Sequence, residues 1–119
     1  MNHAALDKKL NEMVLTGQAM AAFEEFYADG VKMQENSDAP CVGKEANRKR
    51  EIEFFSSVEQ WHSGAVTASA FNPETNISLS QWEMDITFKG MGRVQMNQAA
   101  VRHWENGKVV FERFFYNKG

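Results

Sequence analysis

The sequence predicts an α+β roll, a curved antiparallel sheet that closes into a cone over N-terminal helices. Three observations carry this. The last third, from Ile77 to Tyr116, holds three strand-like runs separated by Lys89-Gly90-Met91-Gly92 and by Asn106-Gly107. Leu79 to Phe88 alternates cleanly, with Trp82, Met84, Ile86 and Phe88 on one face and Gln81, Glu83, Asp85 and Thr87 on the other, so one face is buried and the other wet. Near the N-terminus the apolar residues recur at three and four instead of two. Helices first and a meander afterwards give helices covering one face of a sheet.

The elements follow in order. Leu6, Leu10, Met13 and Val14 form one apolar stripe on a charged helix that ends near Gly17. Met20, Phe23, Phe26 and Tyr27 mark a second helix, with Gly30 suited to the position just past its end. Val31 to Glu35 alternates and is short enough for an edge strand. Asn36 to Val42, with Ser37, Asp38 and Pro40, reads as a loop. Gly43 to Phe55 is rich in helix formers and is expected to bury Ala46, Ile52 and Phe54 or Phe55. From Ser57 the period becomes two, and Gly64 within the long run to Phe71 predicts a bulge or bend. Asn72 to Asn76 is a turn. Arg93 to Glu105 carries apolar residues on both faces, and Asn106-Gly107 joins it to Val109 to Tyr116 as a hairpin.

Composition narrows the function classes. The chain has 119 residues, of which 43% are hydrophobic and 12% aromatic, enough for one domain (1–119) that buries a core unaided. A formal charge of −3 argues against a nucleic-acid partner, which requires a basic face. The run Lys44 to Arg50 is basic but interleaved with Glu45 and followed by Glu51 and Glu53, the pattern of a solvated helix. The single cysteine, Cys41, cannot form an internal disulfide, and neither a signal-like N-terminus nor a membrane-length apolar run is present. The expectation is a cytoplasmic protein with no membrane partner.

At this point Phe26-Tyr27-Ala28-Asp29-Gly30 leading into a strand, Gly43-Lys44-Glu45-Ala46 opening a helix and Asn106-Gly107-Lys108-Val109-Val110 in the last hairpin carry a resemblance. From Leu6 to Tyr116 the chain resembles the NTF2-like superfamily, and most of all its SnoaL-like branch. That superfamily holds ketosteroid isomerases, polyketide cyclases, dehydratases, ligand binders and dimerisation modules, so fold does not select a function. Position by position against ketosteroid isomerase, the resemblance places Glu35 where the carboxylate base stands. It places Leu10 and Ala100 where the two oxyanion donors stand, with Asn11 beside the first. Neither Leu10 nor Ala100 can donate, and the loss of one such donor commonly costs roughly 100- to 1,000-fold in rate.

Strand parity puts Gln98, Ala100, Arg102 and Trp104 on the concave face of one strand and Val110, Glu112, Phe114 and Tyr116 on that of the next, beside Trp82. A cavity is expected at the wide end of the cone. The candidate catalytic residues are Glu35, a carboxylate at an apolar mouth, and His62, which the resemblance makes a possible partner for it. The candidate substrate contacts are Gln98, Arg102, Glu112, Trp82, Trp104, Phe114 and Tyr116. Arg102 and Glu112 are also expected to pair across neighbouring strands. Most of the aromatics are expected to be core as well. His103 should face outward. The sequence holds no metal-ligand spacing, no nucleophile elbow and no phosphate loop, so no metal or other cofactor is expected.

Two functions stand open. One is a cofactor-independent isomerase, cyclase or lyase (dehydratase) acting on a small apolar carbonyl compound. The other is a non-catalytic ligand-binding or dimerisation module. In either case a homodimer is expected through the outer sheet face, which carries Gln95, Asn97, Ala99, Val101 and His103.

Overall fold

The computed structural model describes residues 1–118. Helix α1 (His3–Leu15) begins at Asn2, whose side chain accepts a hydrogen bond from the Ala5 amide at 3.0 Å, so one of the orphan donors of the first turn is satisfied. Gly17, at φ 81°, turns the chain into helix α2 (Ala19–Phe26), which runs without a loop into strand β1 (Tyr27–Glu35). A two-residue strand β2 (Cys41–Val42) and helix α3 (Lys44–Ser56) follow. Strands β3 (Val58–Asn72), β4 (Ile77–Phe88), β5 (Gly92–Glu105) and β6 (Lys108–Tyr116) complete the chain.

All six strands join one sheet in the order β2-β1-β6-β5-β4-β3. The meander β3 to β6 is antiparallel, while β1 lies parallel to β6. Strand β1 is therefore an interior strand, covered on its outer side by β2, and not the edge strand that its length suggested. Part of the expected loop supplies that cover. Between β5 and β6 the chain turns on Asn106 and Gly107, at φ 50° and 78°, the pair of positive values that a two-residue hairpin of matching twist requires.

Strand β3 is paired irregularly, with register shifts at Val58/Gln60, Trp61/Ser63 and Val66/Ala68. These flank Gly64, where a bend was expected, and they turn Trp61 inward. A Cβ at position 64 would lie 2.6 Å from Cζ2 of Trp61, so only glycine admits the ring. A further shift between His103 and Trp104 offsets β6: Trp104 faces Val109, and Val109 is the fully buried residue in place of the expected Val110.

Two apolar clusters fill the space between helices and sheet. One joins Leu10, Phe23, Phe26, Val31 and Trp104; the other joins Trp82, Met84, Ile86, Phe88 and Ala100. Val14 and Phe114 pack against both. Helix α3 behaves unlike the others. Ala46 and Ile52, the expected core residues, are exposed, and the face turned to the sheet carries Asn47, Glu51, Phe54 and Phe55.

Candidate functional site

Between the clusters lies a cavity of about 350 Å³. Apolar side chains from α1, α2, β3 and β4, among them Leu10, Phe23, Trp61 and Trp82, make most of its wall. Its polar groups come from α3, β1, β5 and β6, and they fall into two sets.

The first set is closed on itself. Arg102 and Glu112 stand opposite each other in register, and Nε of Arg102 donates to Oε2 of Glu112 at 2.6 Å. Nη1 of Arg102 donates to Oδ1 of Asn11 at 2.6 Å and to Oδ1 of Asp7 at 3.2 Å. The Tyr27 hydroxyl donates to the other Glu112 oxygen at 2.6 Å. Asp7 Oδ1 also accepts from the Trp104 indole at 2.9 Å and the Ser78 hydroxyl at 2.7 Å. Arg102 and Glu112 are 3% and 1% exposed, depths at which unpaired charge would be costly. Burial disfavours the guanidinium charge, but Glu112, Tyr27 and Asp7 more than offset this and hold Arg102 firmly protonated. Burial, followed by the charge of Glu112, pushes the Tyr27 hydroxyl well above its ordinary range. The expected cross-strand pair thus exists as the centre of a larger network, and Asn11 serves that network.

The second set is open. Glu35 and Arg50 stand where the cavity meets solvent, 3.1 Å apart, with side chains 39% and 45% exposed. Glu51 projects into the cavity from α3, and Gln98 from β5. Neither side chain makes a hydrogen bond to another described residue. Burial, then the negative charge of Glu112 and of Glu35, outweighs the nearby Arg50 and raises the Glu51 carboxyl from 4.5 to about 7. The Tyr116 hydroxyl, beside the mouth, is pushed up by burial and by Glu35.

The sequence-based candidates divide accordingly. Glu35, Gln98, Arg102, Glu112, Trp82, Phe114 and Tyr116 all line the cavity. Trp104 does not: its ring is buried in the first cluster, with its N–H given to Asp7. His62 is also outside the wall, because the register shift beside it turns Trp61 inward and leaves the imidazole bonded to the Thr87 hydroxyl at 2.7 Å. No Glu35–His62 dyad forms among the described residues. Asn36, at φ 51°, is structural: its carbonyl accepts from Arg113 at 2.8 Å and its side chain from the Tyr116 amide at 2.9 Å. Sequence reasoning missed Arg50, Glu51, Tyr27 and Trp61. For Glu51 a signal existed, since Asn47, Glu51, Phe54 and Phe55 share one helical face.

The profile of the SnoaL-like domain matches residues 1–116, and the chain belongs to that family. No curated protein sequence matches it. Among solved structures it is similar to a candidate SnoaL-like polyketide cyclase from Mesorhizobium loti, at 28% identity and a TM-score of 0.83, over 98% of this chain and 100% of that one. It shares its fold with a candidate polyketide cyclase from Pseudomonas putida, at 14% identity and a TM-score of 0.81 over 99% and 93% of the two chains. The same holds for a candidate isomerase from Bacillus subtilis, at 13% identity and 0.80 over 98% and 90%. The fold is that of the NTF2-like and ketosteroid isomerase-like proteins. No helix among the described residues is long and apolar enough to cross a membrane.

Proposed function

We propose that the cavity binds a small, largely apolar carbonyl compound and moves a proton on it without a cofactor, in a reaction of isomerase, cyclase or dehydratase type. The observation that carries this reading is the open polar set on an otherwise apolar wall. A ligand entering past Glu35 and Arg50 meets Gln98 on the sheet and a carboxylate at the mouth, while Trp61, Trp82 and Phe114 cover its faces. In this reading Glu35 is the base. Its contact with Arg50 fixes the carboxylate where it reaches both the cavity and the water that carries the proton away. Gln98 donates to the carbonyl oxygen, and Arg102 adds positive charge at the same end. The likeness to a candidate polyketide cyclase supports a planar, polyketide-like ligand.

The test is a thermal-shift panel of planar apolar ketones, phenols and polyketide-like acids. A ligand at about 100 times its Kd adds roughly 2.7 kcal/mol to stability, and a shift that falls in Gln98→Leu and Glu35→Gln is the expected result. Silence across the panel would sink the reading in favour of a non-catalytic dimerisation module.

The same proposal includes a cytoplasmic homodimer. Its motivation is the outer sheet face, where Leu79 and Phe115 are 52% and 41% exposed and pair in register with Val101 and Ala99. Sedimentation should give the mass of two chains; a monomer mass would contradict it.

A further inference from the structure

The positions where a ketosteroid isomerase carries its oxyanion donors hold Leu10 and Ala100, and both are buried and apolar. Proton abstraction from carbon develops charge on the carbonyl oxygen, and there the amide of Gln98 can offer a hydrogen bond but no proton. Most of the inward polar groups are committed: Tyr27 to Glu112, Trp82 to Ser80, and Asn47 to the carbonyls of Val31, Cys41 and Gly43. Glu51 is the exception on the helical wall. It lies one turn after Asn47 and one before Phe54 and Phe55, all four on the cavity wall, and it has no hydrogen-bond partner among the described residues. Its side chain is only partly buried and lines the cavity, so its carboxyl group is accessible there to a ligand.

We infer that Glu51 is the acid of this cavity, donating its proton to the carbonyl oxygen of the ligand while Glu35 removes a proton from the adjacent carbon. This rests on the reading of the cavity as a ligand site with Glu35 as base. The step balances within the site. The C–H bond breaks and its proton bonds to Glu35; the C–H electron pair becomes a C=C bond; the C=O π pair takes the proton of Glu51. The product is an enol, with Glu51 ionised and Glu35 protonated. Reversal at another carbon of the conjugated system, or exchange with water at the mouth, resets both groups.

The surroundings of Glu51 suit this role. Arg50 faces it from its own helix, Glu35 and Tyr27 from β1, Arg102 from β5, and Glu112 and Tyr116 from β6. Helices α1 and α2 and strands β3 and β4 present only apolar or aromatic side chains to the cavity. Burial, followed by the nearby carboxylates, keeps the proton on Glu51 up to about pH 7, and the guanidinium of Arg50 contacts Glu35 at the mouth. One carboxyl group on the inner wall of the cavity and one at its mouth put an acid and a base within a single site.

The experiment follows deuterium exchange at the carbon next to the carbonyl of 2-tetralone, a planar bicyclic ketone, by proton NMR in D2O between pH 5.5 and 8.5. The wild-type protein should accelerate exchange, and the rate should fall as pH rises through about 7, when Glu51 loses its proton. Glu51→Gln should be slower by about 100-fold at low pH and lose that pH dependence, which a merely structural residue would not control. Glu51→Asp, with the carboxyl kept, should restore the dependence in part, and Glu53→Gln on the exposed side of the same helix should match wild type. A Glu51→Gln protein that keeps the wild-type rate and profile would overturn the assignment. So would a wild-type protein that catalyses no exchange; broadening of the 2-tetralone lines then tells whether the cavity still binds it, and hence whether the ligand-site reading falls too.

Discussion

Two carboxyl groups on one cavity wall, Glu112 of β6 and Glu51 of α3, behave as opposites. Glu112 accepts from Tyr27 and from Arg102 and is 1% exposed; Glu51 lines the same cavity and accepts from nothing described. The first belongs to a network in which charge, donors and acceptors are balanced, so it fixes how β5 and β6 meet α1. The second was left unpaired by the fold, at a cost in stability that raises its proton affinity. A satisfied buried network reports on architecture, and an unsatisfied group on a cavity wall reports on chemistry.

The comparison breaks most visibly at Arg102. Arg102→Ala leaves Asp7 and Glu112 without their shared cation, and the loss of one member of a buried pair typically costs about 3–5 kcal/mol. Urea unfolding should show at least that loss, and a near-neutral result would mean the network is not what holds the sheet to α1.

Glu51 should shift stability in the other direction. Its folded-state value, about 7, lies above the ordinary 4.5, so the folded protein binds more protons than the unfolded chain between those limits. Its favourable contribution is present at low pH and is lost as pH rises through about 7. Glu51→Gln should therefore be more stable than wild type at pH 8, by about 2–3 kcal/mol after allowance for the water that the cavity admits. The gap should shrink toward pH 5. Equal stability at pH 8 would mean that Glu51 is solvated and carries no burial penalty.

Much of the fold was legible in the sequence because it depends on local rules. The alternation through Trp82, Met84, Ile86 and Phe88 and the turn at Asn106-Gly107 specify strand faces and hairpin register without tertiary help. Where one extra residue intrudes, parity fails: the shift after His103 exchanged Val110 for Val109, and the shift beside Trp61 decided which of Trp61 and His62 reached the cavity. The parallel pairing of β1 with β6 joins residues at opposite ends of the chain and leaves no local mark. Helix α3 turns a polar face inward. Rules that place apolar residues inside chose Ala46 and Ile52, while the inward face carries Asn47, which donates to the carbonyls of Val31, Cys41 and Gly43, and Glu51, which lines the cavity.

The apolar wall sharpens the comparison at a smaller scale. Gly64→Ala puts a methyl group 2.6 Å from the Trp61 ring, and overpacking of this kind typically costs about 1–3 kcal/mol. Displaced toward the cavity, Trp61 should also weaken 2-tetralone binding. Unchanged stability and affinity in that variant would show that Trp61 is not held against the backbone. At the bottom of the scale, Arg93→Ala removes the bidentate contact to Asp85 on the outer face. Exposed pairs are worth about 0–1 kcal/mol, so a larger loss by urea unfolding would point to burial of that face in an assembly.

The most direct test compares the two carboxylates in one sample. With glutamate side-chain carboxyl carbons labelled with ¹³C and assigned by substitution, the Glu51 resonance should titrate near pH 7, and addition of 2-tetralone should move it and leave that of Glu112 in place. A ligand that moves Glu112 and leaves Glu51 unchanged would contradict that expectation.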